Sequence, residues 1–260
     1  MKIVLCVKQV PDTSDIKWTE NNTIQREGLE SILNPCDVYA AEIALSIKKE
    51  CPNTTVTVLS MGPNQAEKML KKLLALGFDE AVLLSDKKFA ASDTYATGRT
   101  ISKAIAEKIL DFDLIICGQY AIDGDTAQTG PSIANFLNLP QITYVKELVE
   151  CGENKLTFLR ELEDGFEKVR TELPALVCVT ENTYEPTRAT IGGVIEATKK
   201  EVKILGCGDI GLEPACTGLK GSPTYVSKAF RAVKKEVRCE FFENIEDFAK
   251  KFYILGGENE

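Results

Sequence analysis

The sequence predicts a three-layer α/β fold with a doubly wound, mostly parallel sheet, an antiparallel excursion and an extended C-terminal arm. Three observations predict it. Through the first half, short apolar or β-branched runs alternate with longer segments of helical period, and that alternation implies parallel strands with right-handed crossovers. The runs at 3–7 and 113–117 lack a polar face, as strands covered on both sides do. After residue 140 the strands become more polar and are separated by Gly-containing turns, the mark of antiparallel pairing.

Residues 3–7 form the first strand. A short apolar start followed by Lys8, with no small-residue cleavage site, does not fit a signal peptide. Residues 37–49 form a helix with Asn34-Pro35 at its start. Strand two is 55–59, and the helix over 64–76 is stopped by Gly77. Strand three is 81–84. The helix over 93–110 has Ser92 or Asp93 as its cap. Strand four is 114–117, followed by a helix over 132–139. The excursion consists of strands 142–149, 155–162 and 167–173, with a hairpin insertion at about 150–173. A buried strand over 175–180 follows, then a helix over 186–198 interrupted by Gly192-Gly193. Beyond a short run at 202–205, residues 206–223 show little periodicity and read as an arm, with a last helix over 244–254. The domain reading is an α/β domain over 1–205 and an arm with helix over 206–260.

Composition narrows the function classes. A net charge of −8 argues against a nucleic-acid or anionic-membrane footprint. There is no run of about 18 apolar residues, hence no predicted membrane span. Nine cysteines, an odd number without a Cys-x-x-Cys pair, and Cys6, Cys117 and Cys178 set in apolar runs predict buried free thiols and a reducing cytoplasm. The chain has no histidine. That removes Ser-His and Cys-His nucleophiles, His metal sites and the usual general base. An electron carrier or binding scaffold needs none of these.

The most informative run is Gly118-Gln119-Tyr120-Ala121-Ile122-Asp123-Gly124-Asp125-Thr126-Ala127-Gln128-Thr129-Gly130-Pro131. It joins strand four to a helix, the place where α/β sheets bind ligands. Gly124 and Gly130 allow close backbone approach, Thr126, Gln128 and Thr129 offer polar groups, and the N–H groups of the helix start suit a phosphate. The run holds no Lys or Arg, so a phosphate there would be held by dipoles. On chemistry alone, a polar loop with an acidic helix cap fits equally well. Two further loops end strands at the same sheet edge: Val7-Lys8-Gln9-Val10-Pro11-Asp12 and Ser60-Met61-Gly62-Pro63. By contrast, Gly206-Cys207-Gly208-Asp209-Ile210-Gly211 fits G-x-G-x-x-G but is followed by Leu212-Glu213-Pro214 rather than a helix, so it reads as a turn.

The 118–131 run closely resembles the adenine-nucleotide loop of the electron transfer flavoprotein β subunit. Its Asp-Gly-Asp-Thr-Ala-Gln variant looks like members that bind a second FAD and bifurcate electrons. The resemblance extends from Val4 to about Val202 and implies an adenine-nucleotide α-hydrolase-like layout. It implies cofactor contacts from backbone near Cys6 and Met61, from Lys8, Asn34 and Gly62, and from Gln119, Asp123, Gly124, Asp125, Thr126, Ala127, Gln128 and Thr129. The segment Ala90-Ala91-Ser92-Asp93-Thr94-Tyr95-Ala96-Thr97 resembles the one that runs beside the flavin in FAD-binding members, which makes Ala91, Asp93, Thr94 and Thr97 further candidates; a helix cap alone accounts for Ser92 and Asp93.

Two more motifs carry the resemblance. Arg160-Glu161-Leu162-Glu163-Asp164-Gly165-Phe166-Glu167 through Pro174 is similar to the family signature, though Phe158 stands where a smaller residue is usual. Its residues also read as a hairpin with water-facing charges; the resemblance makes Glu161 a contact to the flavin domain of the α subunit. The stretch from Glu185 to Ala197 reads either as an amphipathic core helix or, by resemblance, as a recognition loop that docks a dehydrogenase through Ile191.

The resemblance implies FAD as cofactor, with AMP as the alternative, and NAD(H) as substrate. It implies an electron transfer flavoprotein α subunit, a flavin dehydrogenase of acyl- or enoyl-CoA or hydroxy-acid type, and ferredoxin or flavodoxin as partners. A scaffold role with AMP is one rival. A nucleotide-hydrolysing or adenylating enzyme is another, but it calls for a Ser-Gly-Gly-x-Asp-Ser-like loop where this chain has Lys8-Gln9-Val10-Pro11-Asp12-Thr13.

Overall fold

The computed structural model describes residues 1–12, 31–152, 154–181, 184–227 and 240–256. Its centre is a nine-stranded sheet. Strands β1 (Lys2–Val7), β4 (Thr55–Met61), β5 (Glu80–Leu84), β6 (Leu114–Gly118), β7 (Gln141–Cys151), β8 (Lys155–Leu162), β9 (Gly165–Glu172), β10 (Ala175–Val179) and β11 (Val202–Leu205) lie in the order β11-β5-β4-β1-β6-β10-β7-β8-β9. Neighbours are parallel from β11 through β7, and β7, β8 and β9 pair antiparallel. The predicted excursion is thus a continuation of the same sheet.

The chain runs outward from β1 to β4 and β5, then crosses to β6 on the other side of β1. The crevice between the carboxyl ends of β1 and β6 is therefore the topological switch point, where open α/β sheets take ligands. Helices α1 (Pro35–Glu50) and α2 (Glu67–Ala75) bury Ile43, Ile47, Leu70 and Leu73 against Ile3, Leu5, Val56 and Val58. Helices α3 (Thr94–Ala104) and α4 (Thr129–Leu137) bury Ile101 and Ile133 against Val4, Leu59, Ile115 and Leu176 on the opposite face. Alternate residues of each strand feed the two cores, which is why the strands read as apolar throughout.

Several elements differ from the sequence reading. Residues 9–12 are not a plain loop: β2 (Gln9–Pro11) pairs antiparallel with β3 (Ser31–Leu33). The helix predicted over 93–110 ends at Ala104 and continues as one π-helical turn to Ile109, after which Leu110 (φ 36°) and Asp111 (φ 54°) reverse the chain. Helix α4 begins at Thr129, three residues before the predicted start. Pro131 sits comfortably in its first turn, where no N–H is needed. Gly130 packs so closely on β10 that a Cβ would lie 2.3 Å from Cys178 Sγ.

Helix α5 (Ile191–Lys199) starts five residues after the predicted 186, because the Thr190 hydroxyl caps it by accepting from Gly193 N at 3.0 Å. Gly192-Gly193 do not interrupt it; Gly193 lets it rest on α2, where a Cβ would meet Ala75 O at 2.3 Å.

The segment after Leu205 is more ordered than its sequence suggests. Cys207 and Ile210 are buried in the α3/α4 core. Residues 207–211 form a turn, and no helix opens directly from it. Helix α6 (Gly218–Gly221) lies against residues 88–93. The chain divides into two compact units, Met1–Ser227 and Lys228–Glu260. The second holds α7 (Ile245–Gly256), on which Phe248 stacks edge-on with Phe242 at 5.6 Å and lies 5.7 Å from Phe252.

Cys6, Cys117 and Cys178 are buried and free, as predicted, level with one another on β1, β6 and β10. Burial pushes the Cys178 thiol up to about 12, and a hydrogen bond with Cys6, together with burial, holds Cys117 well above the usual thiol range. Cys117 and Cys178 are therefore poor nucleophiles. A disulfide that the sequence reading did not anticipate joins Cys51, at the end of α1, to Cys151, at the end of β7. Their sequence separation of 100 hid the pairing. Closing a loop that long is worth up to about 5 kcal/mol in the chain-entropy model. Cys51→Ser is expected to lower the melting temperature without reductant and to match the reduced wild type with it, as differential scanning fluorimetry will show.

Candidate functional site

The carboxyl edge of the sheet is built around the corner that starts α1. Beyond the end of β1, Lys8 N–H donates to Asp37 Oδ2 at 2.6 Å and Lys8 O accepts from Asn34 N at 3.0 Å. Asn34 is buried, and its amide closes the other side: Nδ2 donates to Tyr120 O at 2.8 Å and Oδ1 accepts from Ile122 N at 3.1 Å. The two strands flanking the switch point are thereby fastened to one another through residues 34–37. Above them the Lys8 ammonium reaches Asp123, 2.6 Å from Oδ1 and 2.9 Å from Oδ2. The 118–131 run has no cation of its own, yet the fold brings it one, already paired.

Asp37 is 5% exposed. Burial raises its carboxyl to about 7, against the opposing pull of hydrogen bonds from Lys8 N, the Asn34 side chain and Gly118 N. Gly118 is glycine for a steric reason: a Cβ there would sit 2.1 Å from Asp37 Oδ1.

The loop itself turns tightly. Gly124 N and Asp125 N both donate to Ala121 O, at 3.1 and 2.8 Å. Asp125 (φ 48°) and Ala127 (φ 52°) lie in the left-handed region, a strain of about 1–3 kcal/mol each that concentrates at functional sites. Asp123, Gly124, Asp125, Thr126 and Gln128 are exposed, and Ala127 and Thr129 are half-buried. Among the described residues, no protein acceptor receives the N–H of Thr126, Ala127, Gln128, Thr129 or Gly130, and Gln128 makes no side-chain cap. Five donors at the open, positive end of α4 suit an anion.

The start of α3 is different. Asp93 Oδ1 caps Ala96 N at 2.9 Å. Its Oδ2 accepts from Thr224 N at 2.9 Å and Thr224 Oγ1 at 2.7 Å, and Asp93 N donates to Ser222 Oγ at 2.8 Å. Burial raises the Asp93 carboxyl, but these hydrogen bonds outweigh it and hold it below the usual carboxylate range. The predicted Asp93 is thus occupied by its own helix and by the strap of residues 217–224, which the sequence reading did not connect with it. Thr94 and Thr97 lie half-buried on the first turn of α3, and Ala91 is exposed with φ 59°. Between α3 and α4 runs a shallow groove of about 290 Å3 lined by Tyr95, Gln128, Pro131, Ser132, Asn135 and Phe136.

The remaining predicted residues are placed as follows. Cys6 is almost fully buried in β1, and Met61 and Gly62 are half-buried at the end of β4, with Gly62 N bonded to Leu84 O at 3.0 Å. Gln119 is buried and bridges strands: its N donates to Val179 O at 2.7 Å and its Oε1 accepts from Tyr144 N at 2.7 Å. Glu161, on β8, pairs at 3.0 Å with Lys146 of β7, away from the crevice strands. Ile191 is 84% exposed, with Val194 and Ile195 also exposed beside it; residues 185–190 are an exposed loop that leads into α5, and the start of α5 presents an apolar patch rather than a core face.

A family model described as Electron transfer flavoprotein domain matches residues 21–205. The chain is 46% identical over 228 residues to the electron transfer flavoprotein subunit beta of Thermoanaerobacterium thermosaccharolyticum, which covers 87% of this chain and 86% of that protein. The chain belongs to the electron transfer flavoprotein β-subunit family. Other relatives of this β-subunit chain are the caffeyl-CoA reductase-Etf complex subunit CarD of Acetobacterium woodii, 44% identical over 88% of this chain and 87% of that one, and the acryloyl-CoA reductase electron transfer subunit gamma of Anaerotignum propionicum, 41% identical over 91% of each. No helix among the described residues is long and apolar enough to cross a membrane.

The site also yields a pH dependence. The folded β-subunit chain keeps a proton on Asp37 that the unfolded chain gives up near pH 4, so between about pH 4 and 7 stability falls as pH rises. Above 7 this contribution is flat. Asp37→Asn is expected to remove that slope, so that its melting temperature gains on the wild type across this window. Thermal denaturation in a series of buffers checks it.

Proposed function

We propose that this β subunit holds FAD at the switch-point crevice and works in a heterodimer with an electron transfer flavoprotein α subunit. The observation that carries the reading is the row of unpartnered N–H groups from Thr126 to Gly130 at the uncapped start of α4. These donors would hold the cofactor's diphosphate. The Lys8–Asp123 pair cancels one of the loop's two carboxylate charges beside it. Thr94 and Thr97 would offer hydroxyls to the flavin side, while backbone near Cys6 and Met61 would border the adenine. When bound, FAD supplies hydride acceptance from NADH and division of the electron pair between ferredoxin or flavodoxin and, through the α-subunit FAD, a flavin dehydrogenase. No side chain of this chain serves as acid or base in the scheme, which suits a sequence without histidine.

The relatives named for caffeyl-CoA and acryloyl-CoA reductase complexes favour a dehydrogenase acting on acyl- or enoyl-CoA over one acting on a hydroxy acid. The exposed Ile191, Val194 and Ile195 form the apolar patch for docking it. Glu161 would face the mobile flavin domain of the α subunit, and the arm over 206–260, with the exposed Phe248 and Phe252 of α7, would pack on that subunit. The complex would work in the cytoplasm.

One observation favours a second reading. Asp93 and residues 222–224 already fill the start of α3, which suits a smaller ligand, AMP, held as a structural element. Extraction of the co-purified heterodimer separates the two. The proposal expects two FAD per heterodimer and bleaching of the flavin by NADH. One FAD plus one AMP, with no reduction by NADH, supports the scaffold.

A further inference from the structure

The proposed chemistry leaves Asp37 without a role, although its position is unusual. An acid in the first turn of a helix ordinarily faces that helix's own free N–H groups. Asp37 instead turns its Oδ2 toward the next layer and accepts the Lys8 N–H at 2.6 Å, while α1 has no side-chain cap at all. Lys8 lies one residue beyond β1, where no neighbouring strand takes its N–H. The other oxygen, Oδ1, occupies the space that a side chain at position 118 would need, at the last residue of β6. One buried carboxylate thus touches the ends of both strands that flank the switch point. Asn34, three residues earlier, fastens the same two ends through Lys8 O, Tyr120 O and Ile122 N.

We infer that Asp37 is a positioning residue of the nucleotide crevice: its carboxyl oxygens fix the end of β1 against the end of β6 and so set where Lys8 and the loop from Gln119 to Gly130 meet the ligand. The inference rests on the nucleotide reading above. Asp37 itself lies beneath the crevice on the α1 face and does not touch the ligand. What it supplies is a fixed spacing. Without the acceptor, Lys8 N–H loses its partner at a half-buried edge, and a partly desolvated donor without a partner shifts until it finds one. The Lys8 ammonium moves with it, and with the ammonium the Asp123 side of the loop.

The test uses the co-purified heterodimer with FAD and AMP as probes, and three variants: Asp37→Ala, Asp37→Asn and Gly118→Ala. Asp37→Ala removes the acceptor. Asp37→Asn keeps an oxygen of the same reach. Gly118→Ala keeps Asp37 but takes its space. The proposal expects Asp37→Ala and Gly118→Ala each to weaken the nucleotide of this subunit at least about 10-fold and to change the visible circular dichroism of bound flavin. Asp37→Asn is expected to stay within about threefold of wild type. Retention of the α-subunit FAD reports that each variant assembles, and if Asp37→Ala does not assemble, Gly118→Ala against Asp37→Asn decides. Wild-type affinity and spectrum in Gly118→Ala or Asp37→Ala, or equal loss in Asp37→Asn and Asp37→Ala, overturns the positioning role. If the wild-type subunit takes up neither FAD nor AMP, the nucleotide reading itself fails, and the inference falls with it.

Discussion

The carboxyl edge of this sheet depends on a corner of four residues, Asn34 to Asp37, that stitches β1 to the loop after β6. A parallel sheet alone does not fix that spacing. Strand pairing between β1 and β6 ends at Cys6 and Cys117, and past that point the backbone groups of Lys8, Tyr120 and Ile122 have no ladder to join. Left unpaired at this half-buried edge, each would cost part of the roughly 1–3 kcal/mol that a fully buried unpaired group costs. Asn34 and Asp37 satisfy them together, from the one helix that begins there. Helix α1 is in turn held by Ile43 and Ile47 in the sheet core, so the spacing at the edge is referred to the most rigid part of the molecule.

Given that frame, the two helices on the other face diverge in what they can do. Helix α3 is satisfied: Asp93 caps it, and the strap through Ser222 and Thr224 closes over the cap. Helix α4 finds no acceptor for its first donors among the described residues, and two non-glycine residues of positive φ bend the loop before it. On the proposed reading an anion is directed to α4 and away from α3 by local hydrogen bonding, and the Lys8 ammonium beside the loop is paired with Asp123. The same arrangement explains how an acidic chain can present an anion site: the attraction comes from oriented amides at short range, which net charge does not cancel.

Much of this was legible in the sequence. The apolar runs and their alternation with helical segments gave the parallel strands, because burial on both faces leaves no polar positions in runs such as Leu114 to Cys117. The loop at 118–131 was legible as a candidate site because glycines, small hydroxyls and a strand-to-helix junction coincide there. The corner was not. Asp37 reads as an ordinary first-turn acid, and only the third dimension turns it toward Lys8, 29 residues earlier in the chain. The Lys8–Asp123 pair spans 115 residues and the Asp93–Thr224 bond 131, distances over which a single sequence carries no pairing signal. The early start of α4 was missed because Pro131 looks like a boundary and is in fact tolerated in a first turn. The Cys51–Cys151 bond was missed because neither cysteine belongs to a local motif.

Amide hydrogen exchange on the heterodimer, with and without its nucleotide, tests the central claim most directly. The account predicts that Lys8 and Ile122 are protected in both states, because protein acceptors hold them. It predicts that Thr126 to Gly130 exchange fast without nucleotide and slow markedly with it. Exchange of Lys8 and Ile122 as fast as the loop in the nucleotide-free protein, or no change at 126–130 on binding, would contradict it.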